Sequence, residues 1–539
     1  MITGRDNDVA IDRTRRWRGP RPGEPPRWRR RSVAQAASTL AAAAVLVAGS
    51  AVGTAAPSHG IDEFTGVWPT AVDPASCRAG DLTETGIQGE VPLADRESGR
   101  STAGYNCNID LIGQYQGLGA GPVSPSYDHC AYLASTFPTN LLGPDAGVHV
   151  IDVSDPANPV RTAVLSEPAM LGGTWESLKV HRGRGLLVGT GVGLIEGAGF
   201  LSVYDISEDC AHPRLLNTTT GSMLNMPVPI TTHEGDFSPD GNTYWASGIA
   251  PGWISAVDIT DPAQPMVVWG GLTGIEAHGM GFTPDGNTMF LSNLTGLTVI
   301  DVSAVQNRMP HTVIGHPLPH IGQKFWTDGQ ITQHSVFVTY DGRPHIFTVD
   351  EGGSGGVKLF DIADPANPSW RNSVKLAINL PQHQDRWASS SAGNGAFGYD
   401  AHYCSVDRPD NPRTLACGWI QSGIRVFDVS DPDHFAEIAY FNPPAQTGKH
   451  LRLPNSLHAT LGSIIGPPVI GTLALARAVL QGQTGIDGVI NDQSRLVGGD
   501  LSADWCLSPP EFHGDTLYVA CMDNGFMALR LDPAVYPPR

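Results

Sequence analysis

The chain has 539 residues, among them 63 Gly and 43 Pro, with 41% hydrophobic and only 16% charged residues. That mix is too apolar for a disordered chain and suits many short strands joined by turns, so one large all-β domain is expected rather than several smaller ones. The formal net charge is −19, and this acidic balance argues against nucleic acid as a partner, because phosphate binding needs a cationic face.

Residues 1–56 hold 10 Arg and 4 acidic residues. An Arg-rich stretch ending Trp28-Arg29-Arg30-Arg31 precedes an uncharged, Ala-, Val- and Leu-rich run from Ser32 to Thr54, with small residues at Thr54, Ala55 and Ala56. This basic, apolar, small-residue order predicts an export signal over 1–56, and the consecutive arginines point to a twin-arginine route. Without the signal, 24 basic and 49 acidic residues remain, a net charge near −25. The mature chain is therefore expected to be secreted, without a transmembrane span, monomeric and compatible with cation binding. Residues 57–100 show no period and read as an extended arm.

From residue 101 onward one pattern recurs. Gly147 to Pro159 reads Gly-Val-His-Val-Ile-Asp-Val-Ser-Asp-Pro-Ala-Asn-Pro, a β-branched strand stopped by an Asp-Pro turn. Copies centre on Asp205, Asp258, Asp301, Asp361 and Asp428, and a degraded seventh places Arg530 where the others have Asp. A unit of about 45 residues made of short strands is the size of one four-stranded propeller blade. The strands Val-His-Val-Ile-Asp-Val, Leu-Thr-Val-Ile-Asp-Val and Ile-Arg-Val-Phe-Asp-Val resemble the LVIVD-repeat family. Gly-Tyr-Asn-Cys-Asn at 104–108, Cys-Ala-Tyr at 130–132 and Ala-His-Tyr-Cys at 401–404 resemble its secreted bacterial members. The resemblance implies an architecture and is nearly silent on activity.

The predicted fold is thus an all-β, seven-bladed β-propeller over 101–539. A ring must close or leave unpaired strand edges. The stretch Cys107 to Gly113 looks like the outermost strand of a blade, and it is predicted to complete the blade made by the C-terminus. Within the blades, Phe237-Ser238-Pro239-Asp240-Gly241 and Phe282-Thr283-Pro284-Asp285-Gly286 are hairpin turns. Residues 442–503 break the rhythm as an insertion, a cover or lid in which Gly466-Pro467-Pro468 and Arg477 argue against a membrane span. Cys404 with Cys417, and Cys506 with Cys521, flank turns and are expected as hairpin disulfides; Cys77, Cys107, Cys130 and Cys210 cannot be paired from sequence.

One register carries candidate chemistry. About five residues before the first turn of each blade stand Glu176, His233, His278, His334 and His402, with Asp504 in the looser seventh blade. Asp, Glu and His are only 71 of 539 residues, so chance is a poor account of six in seven. Innermost strands line the axis of a propeller. Imidazoles and carboxylates converging there suit a transition metal, copper among the candidates. A repeated His can equally be a structural feature of the repeat, bonding one blade to the next. Glu234 and Glu276 are candidates to orient the imidazoles, and Asp350-Glu351, opening a Gly-rich turn, is a candidate surface cation site. No nucleophile elbow, phosphate loop or His-Glu-x-x-His is present. Two functions follow as expectations: a binding scaffold for an unidentified protein or small-molecule ligand, or a metal-dependent oxidoreductase with its site at the hub.

Overall fold

A computed structural model describes residues 68, 70–136, 145–191, 200–217, 232–248, 252–274, 276–309, 315–391, 397–461 and 500–537. The export signal predicted over 1–56, most of the insertion (462–499) and the Gly-rich stretch 192–199 lie outside them. The strands form seven small antiparallel sheets, five of them made wholly of consecutive strands in simple up-and-down order and two that each take in an N-terminal strand. Blades one to six span residues 126–165, 179–215, 234–272, 280–325, 330–374 and 404–442. Blade seven is built from Glu511–His513, Thr516–Cys521 and Gly525–Leu531. Its fourth strand is Ile109–Tyr115, from the other end of the chain. The ring is closed as the sequence predicted. The preceding strand, Tyr105–Cys107, adds a fifth strand to blade six, so one N-terminal segment fastens two neighbouring blades and hides both edges.

The recurring Asp is turn chemistry. Asp152, Asp205 and Asp428 each accept the backbone N–H and the hydroxyl of the Ser two residues on. Asp258, Asp301 and Asp361 accept the matching backbone N–H. The Asp of each Asp-Pro turn does likewise, as Asp155 does to Ala157 at 3.0 Å. The seventh repeat departs for a visible reason: Arg530 lies opposite Asp110 on the closing strand. In both hairpin turns the Asp after Pro accepts the N–H of the Asn two residues on, at 3.1 Å. The Gly between them, Gly241 or Gly286, sits at positive φ, 70° or 72°.

Asp258 also accepts from Arg308 Nε at 2.8 Å, and Arg308 leads the interactions that hold its carboxyl down to about 2. A depressed carboxyl stabilises the fold fully above its unfolded value, near 4, and that contribution is lost as pH falls through about 2. The stability difference between Asp258→Asn and the parent, read from urea unfolding, should therefore be constant above pH 4 and shrink as pH falls toward 2.

Neighbouring blades pack face to face through apolar side chains. Between blades three and four, Trp245, Ile254 and Trp269 meet Met280, Phe282, Met289 and Leu291, each worth about 1.5–3 kcal/mol when fully buried. Eight cysteines form four disulfides. Cys404 and Cys417 face one another across a hairpin, and Cys506 joins Cys521. Cys130–Cys210 ties blade one to blade two, and Cys77–Cys107 ties the N-terminal segment to its own strand.

Residues 70–104 carry a helix, Leu93–Ser98, and are docked rather than loose. Val72 and Ile87 pack on the apolar core of blades five and six. Beside them Arg425, wholly buried, reaches Glu84 of this segment and Glu437 of blade six, the latter at 3.0 Å. Among the described residues no helix is long and apolar enough to cross a membrane.

Candidate metal centre at the hub

First strands of adjacent blades lie side by side around the axis. Glu176 N–H donates to His233 O (3.1 Å), and Gly279 N–H to Gln333 O (2.9 Å). The backbone N–H of His233, His278 and His402 makes one repeated bond, to Ser247, Ser292 and Gly418 of the second strand of its own blade. The same register therefore sends these three imidazoles to the same depth.

Their side chains meet. His233 Nε2 lies 2.9 Å from Glu176 Oε2, and His402 Nε2 lies 3.2 Å from Glu176 Oε1. His278 Nδ1 is 3.9 Å from the same carboxylate. Blades two and six are not neighbours, so the contact between Glu176 and His402 crosses the axis. Donor atoms of Glu176, His233 and His278 all lie within 4.8 Å of one another.

Two of the six sequence candidates stand differently. A bulge between Thr332 and His334 shifts the register of blade five. Gln333 takes the inward place and donates to Glu176 Oε2 at 2.6 Å. His334 is displaced, with Nδ1 3.8 Å from Glu234 Oε1 and its ring 4.9 Å from that of Tyr403. Asp504 is off the register altogether. Its carboxylate accepts the backbone N–H groups of Trp505, Asp523 and Asn524 and the Asn524 side chain. It lies near His458 and Asp523, and burial together with Asp523 pushes its carboxyl well up. It shares no contact with the hub imidazoles. The sequence misplaced it because the insertion before blade seven erased the spacing to the turn. Two further groups, His129 with Cys130 and Cys210, and Asp504 with Cys506 and Cys521, contain disulfide sulfurs rather than thiolates.

The ring orientations are set from behind. His278 Nδ1 lies 3.1 Å from Glu234 Oε2 and 3.3 Å from Gln333 O, and His402 Nδ1 lies 3.0 Å from Leu507 O. All three partners are acceptors, so each Nδ1 carries the proton and Nε2 faces inward. What Nε2 meets is again acceptor: Glu351 Oε2 at 3.8 Å for His278, and Glu176 plus Glu351 Oε1 (3.5 Å) for His402. A nitrogen lone pair facing a carboxylate needs a cation between them, either a proton or a metal ion.

With protons alone, burial opposes the charge on His278 but Glu234, Glu176 and Glu351 outweigh it and raise the imidazole to about 10. Burial likewise opposes, and Glu176 and Glu351 outweigh, to raise His402 to about 9. Burial would push Glu176 up, yet His233 and His402 hold it well below the carboxylate range. Glu234, with His278, His334 and Lys179 against its burial, is brought down to about 2. Glu276 has no such partner, and burial pushes it up to about 7. Thus of the two proposed orienting residues Glu234 holds an imidazole and Glu276 does not. Glu351, expected at the surface, is turned inward and only 7% exposed.

Sequence reasoning gave no signal for Gln333, Lys179 or the hub role of Tyr403. Lys179 Nζ sits 4.9 Å from the Tyr403 ring centroid and 3.7 Å from Glu234 Oε1. These three do not recur from blade to blade, so no alignment of repeats within the chain reveals them.

No protein-family model matches the chain, and no curated protein matches it in sequence. Among solved structures it is similar to the periplasmic gluconolactonase of Pseudomonas aeruginosa, at 14% identity over 58% of this chain and 82% of that one, with a TM-score of 0.42. It is similar to the computationally designed Ika8 protein, at 9% identity over 78% of this chain and 98% of that one, TM-score 0.39. The WD40 domain of coronin from Toxoplasma gondii gives 9% identity over 62% of this chain and 75% of that one, TM-score 0.40. At these values no activity carries over, and the fold stands on the strand pairing described above.

Proposed function

We propose that this chain is an exported propeller of the LVIVD-repeat kind that holds a transition metal at its hub through Glu176, His233, His278 and His402, and works as a metal-dependent oxidoreductase on a small molecule. One observation carries the reading: His278 and His402 have Nδ1 tied back to acceptors while both Nε2 atoms face the Glu351 carboxylate and that of His402 also faces Glu176, the arrangement that orients a metal-bound imidazole. Three imidazoles and a carboxylate suit copper or iron for redox work. His233 is the least buried of the four side chains, 12% exposed against 4% or less for the others, which puts the approach for substrate on its side. Four disulfides and the basic-then-apolar N-terminal sequence support export.

A scaffold is the second reading, favoured by one fact: protonated His278 and His402 would satisfy the same carboxylates as plain ion pairs. Elemental analysis of protein exported by its native host decides between the two. About one copper or iron per chain supports the metal centre; protein that is metal-free, and stays so after dialysis against copper, zinc and iron salts, leaves the scaffold. Glu234→Gln should weaken metal binding about 10–100-fold, because it removes the partner that orients His278. Competition with a chelator of known affinity measures this.

A further inference from the structure

Arg96 differs from the other buried cation of this region, Arg425. It stands on the helix Leu93–Ser98 and is buried, 7% exposed. A guanidinium carries five N–H donors and keeps its charge at any ordinary pH. Three bonds from Arg96 go to uncharged acceptors: Nε to Val91 O (3.0 Å), and Nη2 to Tyr399 Oη (2.9 Å) and Gln421 Oε1 (2.6 Å). Nη1, which holds the other two N–H groups, has no hydrogen-bond partner among the described residues. Asp95, beside it in the chain, is bonded to Thr85 and Tyr105 instead. The Tyr399 ring, its centroid 5.9 Å from the guanidinium carbon, softens the charge without cancelling it.

A shortage of acids is not the reason. The chain has 53 acidic residues against 34 basic ones, and the same N-terminal segment gives Glu84 to Arg425 and Glu90 to Arg386. A buried cation left unpaired costs several kcal/mol, so this position calls for a negative group that none of the described residues supplies. We propose that Arg96 Nη1 binds the carboxylate of a small organic acid, at the seam between the N-terminal segment and the 419–423 loop of blade six. A carboxylate matches the single positive charge, whereas a doubly charged sulfate or phosphate would leave a buried negative charge behind. Its bonds to Nη1 are charge-assisted, roughly twice as strong as those Arg96 makes to neutral acceptors. The site shares no residue with the hub, so it stands whether or not a metal is held there.

The test titrates sodium acetate into the full exported chain, with sodium chloride and sodium sulfate at matched ionic strength as references. The expected result is one equivalent of acetate bound per chain by calorimetry. Tm should rise saturably with acetate and less with either reference salt, since a ligand that binds only the folded chain stabilises it. Gln421→Glu should abolish the acetate effect, because it sets a carboxylate of the chain's own against Arg96 Nη2 and supplies the missing charge. Arg96→Gln should weaken acetate binding about tenfold or more, the worth of a charged hydrogen bond. Stripping the protein with chelator should leave acetate binding unchanged. No acetate bound by the parent protein overturns the proposal, and so does chloride acting as well as acetate. Acetate affinity unchanged in Gln421→Glu also overturns it, and acetate binding that disappears with chelator does so by assigning the anion to a metal. Should either variant fail to fold, the other variant and the parent's response to acetate against chloride carry the decision.

Discussion

His278→Ala combined with His402→Ala is expected to abolish metal retention through purification, with affinity lowered about a thousandfold or more, about 4 kcal/mol. Two of the four donors disappear, and they are the two whose rings are fixed from behind by Glu234 and Leu507 O. The variant also leaves Glu351 without either imidazole that faces it and Glu176 with His233 alone, so the metal-free form should lose about 3–5 kcal/mol of stability through uncompensated buried charge. Elemental analysis and urea unfolding of the metal-free proteins separate the two effects. Asp504→Asn is the control: because Asp504 is bonded to Trp505, Asp523 and Asn524 and not to the hub, metal content should match the parent. A double variant that keeps stoichiometric metal would remove the hub from the account.

The second large effect lies away from the hub. Arg425→Ala should destabilise the folded chain by about 3–5 kcal/mol, visible as a lower urea midpoint at pH 7. Arg425 is wholly buried, lies 4.7 Å from the Tyr440 ring centroid, and joins Glu84 to Glu437. Removing the guanidinium strands both carboxylates in a site where burial already pushes Glu84 up. Adding Glu84→Gln and Glu437→Gln to Arg425→Ala should recover a good part of the loss, because the penalty comes from unpaired charge more than from lost attraction. The single variant should also expose residues 70–104 to limited proteolysis ahead of the blades, since Glu84 is one of the ties that hold this segment to blade six.

How much of this was legible in the sequence follows from what repeats. The Asp at each strand end accepts the backbone N–H two positions on, so each copy writes the same local rule and the blade count can be read directly. The closing strand was legible too, because an unpaired outer edge demands a partner. Four of the six hub candidates converge since their blades keep an unbroken register. Blade five breaks it with a single extra residue, which turns Gln333 inward and His334 away, and a bulge leaves no mark in the spacing of apolar residues.

The amino-acid sequence by itself determined the all-β class, the seven-fold repetition, the place of ring closure and two of the four disulfides, because each depends on short-range pattern or on a local turn. Only the tertiary structure decided that Cys130 pairs with Cys210 and Cys77 with Cys107, that Arg425 locks the N-terminal segment down, and that Glu351 faces inward while Asp504 stands apart from the hub imidazoles. Those outcomes depend on which distant segments the closed ring brings within a few ångströms of one another, and distance in a closed ring is not written in distance along the chain.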